Sequence, residues 1–186
     1  MSHKNPDRIS EYEFSIGVRL THWIRFVAIT LLVVSGYYIS YVFMSPEITS
    51  EPTNFMQAKW RLAHQVAGFV LIAAFIFKFY LFVFDKHSKK EWMSVLDFLS
   101  PKVWIAQIKY YIFMGPHPHL RGVYNPLQFA SYFFFYVILA LICLTGLVLY
   151  AHVYHNGLGG AIYEPARYFE ELMGGLANVR TIHRIC

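Results

Sequence analysis

Three long apolar runs constrain the fold of this chain most strongly. They extend from Phe26 to Met44, from about Leu62 to Phe84 and from about Leu127 to Tyr150. The first and third runs contain no charged residue, and the second contains only Lys78. At about 1.5 Å per helical residue, each run is long enough to cross the roughly 30 Å hydrocarbon core of a membrane. The runs therefore predict an all-α integral membrane protein, a helical bundle with three complete spans.

The composition agrees with this class. Of the 186 residues, 56% are hydrophobic and 15% are charged, whereas soluble domains carry about 25% charged residues. The formal net charge is +5, but the basic residues are scattered over the loops rather than aligned along one face. We therefore expect the lipid bilayer, and no nucleic acid, among the partners. Residues 1–186 are predicted to form a single transmembrane domain.

The last residues have the pattern of a span that is beginning. The segment Val179–Cys186 is similar to Lys59–His64 at the start of the second run, because basic and apolar residues precede a histidine in both. We therefore expect a four-helix bundle in the full-length protein, with the C-terminal part of the fourth span missing from this sequence.

The charges of the connecting segments predict an orientation. Loops rich in lysine and arginine tend to stay cytoplasmic. The N-terminal segment and the loop 85–125 are basic, whereas the segments after the first and third spans are acidic, so the N-terminus is predicted to be cytoplasmic. The residues concerned are Lys4, Arg8, Arg19, Arg25, Lys86, Lys89, Lys90, Lys102, Lys109 and Arg121 on the basic side, and Glu47, Glu51, Glu164, Glu170 and Glu171 on the acidic side.

Two surface helices are predicted outside the spans. One starts at Pro101 and places four apolar side chains on one face, which is typical of a helix lying in the membrane interface. The second is expected at Ile162–Leu172 on the outer side. The apolar residues of the first are Val103, Trp104, Ile108 and Tyr111.

Histidines at the ends of the spans are the candidate functional residues. An imidazole in hydrocarbon needs a partner, and an ionisable group within a membrane is by default a functional hypothesis. His64 and His183 begin their spans at the same outer depth, and His22 begins the first span at the cytoplasmic side. Two imidazoles facing each other across a bundle are what six-coordinate haem iron requires. A histidine bonded to a neighbouring carbonyl at the interface remains the alternative for His64.

These positions predict two haem levels. His64 and His183 supply both axial ligands of an outer haem. His22 would need a second ligand beyond Cys186 for an inner haem, so the sequence as given completes one haem site.

Three further residues fit this arrangement by their spacing. Gly68 lies one turn after His64 and opens a slot for a flat ring. Gly36 lies about 21 Å along the helix from His22, level with the outer haem. Lys78 lies about 21 Å from His64, where it would pair with a propionate of the inner haem, meet an acidic group between helices or extend to the headgroups. Close helix packing is the alternative for the glycines.

The segment 116–126 is a constrained, proline-rich loop at the mouth of the third span. Its polar side chains would suit a quinone head group, and a plain turn is the alternative.

Several short motifs, in their order and spacing, resemble a known family. The motifs are Val18–Trp23, Arg61–Gly68, Asn125–Leu127, Gly146–Tyr150 and Ile182–Arg184. Together they resemble the b-type cytochrome subunit of membrane-bound nickel-iron hydrogenases, within the bacterial cytochrome b561-like dihaem family. The resemblance covers nearly the whole chain.

The resemblance implies a function, a location and further site residues. Such a subunit of the bacterial inner membrane takes electrons from the small subunit of a periplasmic hydrogenase and passes them through haem b to menaquinone or ubiquinone. The small and large subunits of the hydrogenase are its expected partners. His22, His64 and His183 match its haem ligands, and His119 and Asn125 match positions of the quinone region.

The predicted function is therefore electron transfer rather than catalysis by this chain alone. One rival is the related cytochrome subunit of formate dehydrogenase or thiosulfate reductase. Another is a haem-free membrane anchor or transporter, in which the histidines relay protons.

Overall fold

The computed structural model describes residues 14–44 and 55–186. Every regular element in these ranges is helical, which confirms the predicted all-α class. The acidic Glu47 and Glu51 and the basic Lys4 and Arg8 lie outside the described residues. The helices are α1 (Ile16–Ser40), α2 (Met56–Phe84), α3 (Lys89–Phe98), α4 (Pro101–Tyr111), α5 (Pro126–Val153), α6 (Leu158–Ala161), α7 (Tyr163–Leu172) and α8 (Leu176–Ile185), with a 3-10 turn at Lys86–Ser88.

Helices α1, α2 and α5 are long and apolar enough to cross a membrane, as predicted. Helix α1 begins ten residues before the apolar run does, because a helix continues through polar residues that hydropathy excludes. It also ends at Ser40, so the predicted end of the first helix at Met44 is wrong. The chain folds back there: the Tyr38 hydroxyl donates to the Met44 carbonyl at 3.0 Å, and the Phe43 ring packs edge-on against the Tyr38 ring.

The chain divides into two compact units, and α1, α2 and α5 each contribute to both. The first contains the residues up to Trp23 together with Ile76–Ala130, and the second contains Ile24–Phe75 together with Ser131–Cys186. The single transmembrane domain expected from the sequence stays a prediction.

The second unit is built on two small cores. Ala28, Leu71 and Leu139 form one core, to which α1, α2 and α5 each contribute a residue. The small side chain of Ala28 lets the helices approach closely, as is usual between membrane helices. A second core joins the C-terminal half of α5 to α7 and α8, and its buried members are Val148, Ala151, Ala166 and Val179. Helix α8 is thereby packed onto α5.

A glycine turn connects α7 to α8. Gly174 has φ +83° and Gly175 has φ +100°, in the left-handed region that favours glycine. Their amides donate to the Glu171 and Glu170 carbonyls at 3.0 and 2.9 Å, the Schellman pattern that ends a helix. The turn sets the direction in which α8 leaves α7.

The first unit contains a helix that the sequence analysis missed. Helix α3 and the 3-10 turn before it bury a polar stripe, with one residue in every three pointing inward, while the opposite apolar face is exposed. This is the reverse of a water-soluble helix and suits a helix whose outer face meets lipid. The buried residues are Ser88, Glu91, Ser94 and Asp97, and the exposed ones are Trp92, Met93, Leu96 and Leu99.

Both segments predicted as surface helices are helical, and their location at a membrane surface stays a prediction. Helix α4 begins at Pro101 as predicted, and α7 begins one residue after the predicted Ile162. In α4 the buried position is Gln107, whereas Ile108 and Tyr111 of the predicted apolar face are exposed.

Candidate functional site

Two of the predicted histidines meet in the second unit. His64 comes from the N-terminal part of α2 and His183 from α8. Their ring centroids lie 6.2 Å apart, and the ring planes are inclined at 77°. Both residues are partly buried.

Each of these rings is bonded through Nδ1 to a hydroxyl on another helix. The Ser35 Oγ lies 2.9 Å from His64 Nδ1, and the Thr145 Oγ1 lies 3.0 Å from His183 Nδ1. The two hydroxyls come from α1 and α5, and both residues are buried. The two histidines therefore have the same local environment, built by different pairs of helices.

The hydroxyl protons have acceptors of their own. The Ser35 hydroxyl donates to the Leu31 carbonyl at 2.6 Å, and the Thr145 hydroxyl donates to the Leu141 carbonyl at 2.8 Å. Because the O–H is used in this way, the oxygen is left to accept a proton from Nδ1–H of the ring. The tautomer that fits carries its proton on Nδ1 and leaves a lone pair on Nε2.

A glycine follows each hydroxyl residue and lies against the same ring. A Cβ built on Gly36 would lie 3.3 Å from His64 Cε1, and one built on Gly146 would lie 3.3 Å from His183 Cε1. These distances are shorter than ordinary contacts between carbon atoms. Gly36 therefore makes room for the histidine itself, and the role predicted for it beside a porphyrin stays a prediction.

The separation of the two rings matches that of two imidazoles bound to one metal ion. Two metal–imidazole bonds of about 2.0 Å, each with about 1 Å from nitrogen to ring centre, separate two ring centroids by about 6 Å. A pair of neutral imidazoles with free Nε2 atoms is the donor set of a six-coordinate haem, whose porphyrin supplies the other four ligands. The spacing and the tautomers of His64 and His183 thus fit the two axial ligands of the predicted outer haem, and the assignment of these residues as ligands stays a prediction.

Comparison with known proteins identifies the family of this chain. Residues 13–186 match the model of a family described as prokaryotic cytochrome b561. The chain belongs to this family.

Relatives within the family are similar over most of their length. A probable Ni/Fe-hydrogenase B-type cytochrome subunit of Rhodobacter capsulatus is 30% identical over 183 residues, which cover 96% of this chain and 67% of the relative. The probable Ni/Fe-hydrogenase 1 B-type cytochrome subunit of Escherichia coli K12 is 28% identical over 193 residues, covering 100% and 79%. A corresponding protein of Azotobacter chroococcum mcd 1 is 31% identical over 182 residues, covering 94% and 72%.

Membership of the cytochrome b561 family confirms the predicted class, a membrane cytochrome that transfers electrons rather than a catalyst on its own. It also implies haem b as the cofactor. Bound haem iron supplies one-electron chemistry between the ferric and ferrous states.

The structure places the other predicted cofactor residues separately. His22 lies in the first unit, is exposed, and has its ring edge-on to Trp23 at 5.9 Å. Among the described residues, a Cβ on Gly68 would meet only Leu32, at 4.0 Å, so these residues leave space there. The roles predicted for His22 and Gly68 stay predictions.

Lys78 is buried in the first unit against an acidic group, one of the partners expected for it. Its Nζ lies 3.0 and 2.9 Å from the two carboxylate oxygens of Glu91, and both side chains are less than a tenth exposed. The Lys78 ammonium is thus already paired with the oppositely charged carboxylate of Glu91. The pairing of Lys78 with a haem propionate stays a prediction.

The two residues of the predicted quinone region differ in their surroundings. His119 is exposed. Asn125 caps α5: its Oδ1 accepts from the Gln128 amide at 2.8 Å, and the Gln128 side chain accepts from the Asn125 amide at 3.2 Å. This is the reciprocal capping box. The Asn125 Nδ2 also donates to the Tyr111 hydroxyl at 3.2 Å. Both polar atoms of the Asn125 side chain are therefore hydrogen-bonded within the protein.

The loop before Asn125 is anchored to α3. The Asp97 carboxylate accepts from the Arg121 and Gly122 amides at 2.7 and 3.0 Å, and Ser94 Oγ accepts from the Tyr124 amide at 3.0 Å. A Cβ on Gly122 would collide with the Ser94 backbone. The buried stripe of α3 thus fixes the shape of the segment in which the quinone region was predicted.

Sequence reasoning missed Ser35 and Thr145. The signal was present as two hydroxyl–glycine pairs, Ser35-Gly36 and Thr145-Gly146, each within an apolar span. A polar residue next to a glycine on a membrane helix indicates a place where another polar group approaches closely.

Proposed function

We propose that this chain is the membrane cytochrome b subunit of a nickel-iron hydrogenase and carries electrons from that enzyme through haem b to quinone. The observation that carries the proposal is the facing pair His64 and His183, each with Nδ1 bonded to a buried hydroxyl and Nε2 available for iron. Such a pair suits electron transfer, because an iron with two imidazole ligands changes its charge without opening a coordination position.

The names of the relatives support hydrogenase as the electron donor. The Rhodobacter, Escherichia and Azotobacter proteins described above are all named as probable Ni/Fe-hydrogenase B-type cytochrome subunits. We propose that the small and large subunits of such an enzyme bind at the periplasmic face of this chain. The rival assignments to formate dehydrogenase or thiosulfate reductase receive no support from these names.

The proposed orientation puts the N-terminus in the cytoplasm of a bacterial cell and the haem of His64 and His183 near the outer face. The distribution of charge supports it, since the segment 85–125 is basic and α7 carries Glu164, Glu170 and Glu171. Fusion of a reporter active only in the periplasm tests this arrangement. A fusion after Glu51 is expected to give signal and one after Lys90 none, and the reverse pattern would contradict it.

Quinone reduction is proposed on the cytoplasmic side, where His119 and Asn125 lie in the anchored segment before α5. His22 is proposed to bind an inner haem on the same side, with Lys78 near its propionate and Gly68 and Gly36 making room beside the outer haem.

The decisive experiment is hydrogen-driven reduction of the haem. Membranes containing this chain and its hydrogenase are exposed to H2, and the reduced-minus-oxidised spectrum is followed with and without added menaquinone or ubiquinone. We expect the haem bands to appear under H2 and to diminish when quinone is added.

The matched variants separate the ligands from other histidines. His64→Ala is expected to abolish the bands of the outer haem, whereas His155→Ala, at an exposed histidine after α5, is expected to retain them. An unchanged spectrum in His64→Ala would contradict the ligand assignment. Haem bands that never respond to H2 in the presence of an active hydrogenase would contradict the electron donor.

A further inference from the structure

We infer that Ser35 and Thr145 are positioning residues, which hold the rings of His64 and His183 as the Nδ1–H tautomer with Nε2 directed to a haem iron. The inference rests on the proposed function and extends it to two residues that do not themselves touch the iron.

The first support is the repetition of one arrangement on two pairs of helices. The Oγ–Nδ1 distance is 2.9 Å for Ser35 and His64, and the Oγ1–Nδ1 distance is 3.0 Å for Thr145 and His183. The first bond joins α1 to α2 and the second joins α5 to α8. Nothing in the local sequence of either histidine requires such a bond, so its occurrence twice indicates a shared requirement of the two rings.

The second support is burial. Ser35 is 2% exposed and Thr145 is 0% exposed, and both lie within helices that cross the membrane. A buried hydroxyl in an apolar helix has to be paired. Each hydroxyl is already paired with a carbonyl of its own helix. The contact with the imidazole is therefore an additional interaction that burial of the hydroxyl does not require.

The third support is the direction of the hydrogen bonds. The Ser35 hydroxyl lies 2.6 Å from the Leu31 carbonyl, which has no proton to offer and must accept. The Thr145 hydroxyl has the same relation to Leu141 at 2.8 Å and to Ile142 at 3.0 Å. Because each hydroxyl donates its proton to a carbonyl, the ring Nδ1–H must be the donor in the bond between the ring and the hydroxyl oxygen. Each helix carbonyl thereby sets the tautomer of a histidine on another helix.

This arrangement has two consequences for a metal ligand. It fixes the orientation of the ring, and a hydrogen bond from Nδ1–H makes the imidazole a stronger electron donor at Nε2. A neutral hydroxyl achieves this without adding a charge to the hydrocarbon region, which a carboxylate in the same place would do. Loss of the hydroxyl should therefore weaken haem binding and destabilise ferric iron more than ferrous iron, which raises the reduction potential.

The experiment compares Ser35→Ala and Thr145→Val with the native chain. Haem affinity is measured by titrating haem into the apo-protein, and the midpoint potential by a spectroscopic redox titration. Loss of an outer partner of a metal-bound histidine typically lowers metal affinity 10- to 100-fold, so we expect about tenfold weaker haem binding. If ferric haem loses about tenfold more affinity than ferrous haem, the potential rises by about 59 mV.

Conservative and control variants distinguish positioning from packing. Ser35→Thr and Thr145→Ser retain the hydroxyl and are expected to keep the native potential. Thr30→Val removes an exposed hydroxyl that bonds the Phe26 carbonyl at 2.9 Å on the same helix α1, and it should change neither quantity. A positioning role thus predicts a shift only where the lost hydroxyl faces a histidine.

The outcomes separate this inference from the proposed function. If the native chain binds haem and His64→Ala removes it, but Ser35→Ala and Thr145→Val keep the native potential and affinity, the positioning role is overturned while the ligand pair stands. If His64→Ala and His183→Ala retain the native haem spectrum, the ligand pair falls and the positioning role falls with it. Raised potentials in Ser35→Ala and Thr145→Val, with native values in Thr30→Val, support the inference.

Discussion

Substitution of the glycines beside the two histidines is expected to weaken haem binding without destabilising the haem-free protein. Replacing Gly36 or Gly146 by alanine adds one methyl group to a membrane helix, next to the ring of His64 or His183. Glycine in the middle of a helix is destabilising by roughly 0.5–1 kcal/mol relative to alanine. Without haem, the substituted helix should therefore be at least as stable as the native one.

The new methyl group should nevertheless weaken haem binding. Its Cβ would lie 3.3 Å from Cε1 of the neighbouring imidazole, whereas carbon atoms prefer about 3.5–4.0 Å. The ring must therefore move by a few tenths of an ångström. Functional groups of a site need to be held within about 0.5 Å of their working geometry. A displacement of the ring by a few tenths of an ångström is close to this limit. We expect about tenfold weaker haem binding, which corresponds to about 1.4 kcal/mol.

Two measurements check this prediction on each variant. Haem titration of the apo-protein gives the affinity, and denaturant unfolding in detergent gives the free energy of unfolding of the apo-form. Ala73→Val, which adds bulk to an exposed position of α2, is the control and should change neither quantity appreciably. Native haem affinity in both Gly36→Ala and Gly146→Ala would refute the reasoning that these rings are the ligands and are confined by the glycines.

Three further predictions concern other parts of the fold, and each is measured as the free energy of unfolding in detergent. Lys78→Met should cost about 3–5 kcal/mol because it leaves the buried Glu91 carboxylate unpaired, and the double variant with Glu91→Leu should recover most of the loss; equal instability of both would contradict the pairing. Asn125→Ala should cost about 1 kcal/mol through loss of the α5 cap, whereas Asn125→Asp should be nearly neutral. Gly174→Ala should cost about 1–2 kcal/mol because alanine is strained at φ +83°, and a neutral effect would show that the turn can rearrange.

The spans were predictable from sequence because hydrocarbon admits few alternatives to a continuous helix. The third span was placed from Leu127 to Tyr150, and α5 runs from Pro126 to Val153. The ends were less predictable, because hydropathy reports the lipid-facing part of a helix rather than its hydrogen bonds. The residues after Ser40 are apolar enough to continue α1, yet the chain folds back, with Phe43 against Tyr38.

Helix α3 was missed for the opposite reason. Its polar stripe and apolar stripe have a helical period, but the segment is short, and its lysines assigned it to the basic loop 85–125. The burial of Glu91 and Asp97 depends on partners distant in sequence, Lys78 and the amides of Arg121 and Gly122. No local pattern reveals these pairings.

The candidate site was partly predictable. The matched depth of His64 and His183 follows from counting spans, and the structure brings the two rings together. The hydroxyls of Ser35 and Thr145 were not identified, since a serine or threonine in a membrane helix usually bonds its own backbone, and only the glycine after each of them indicates a second partner. For Asn125 the sequence did carry a local signal. Asn125 is followed by Pro126 and, three residues on, by Gln128, which is the pattern of a capping box. This capping role was not predicted for Asn125.

The central claim is that His64 and His183 ligate the same iron. Low-temperature electron paramagnetic resonance of the oxidised protein tests it most directly, because a ferric haem with two imidazole ligands is low-spin and one with a single imidazole is not. We expect a low-spin signal in the native chain, and loss of that same signal in His64→Ala and in His183→Ala. Loss of different signals in the two variants, or retention of the native signal in either, would contradict the claim.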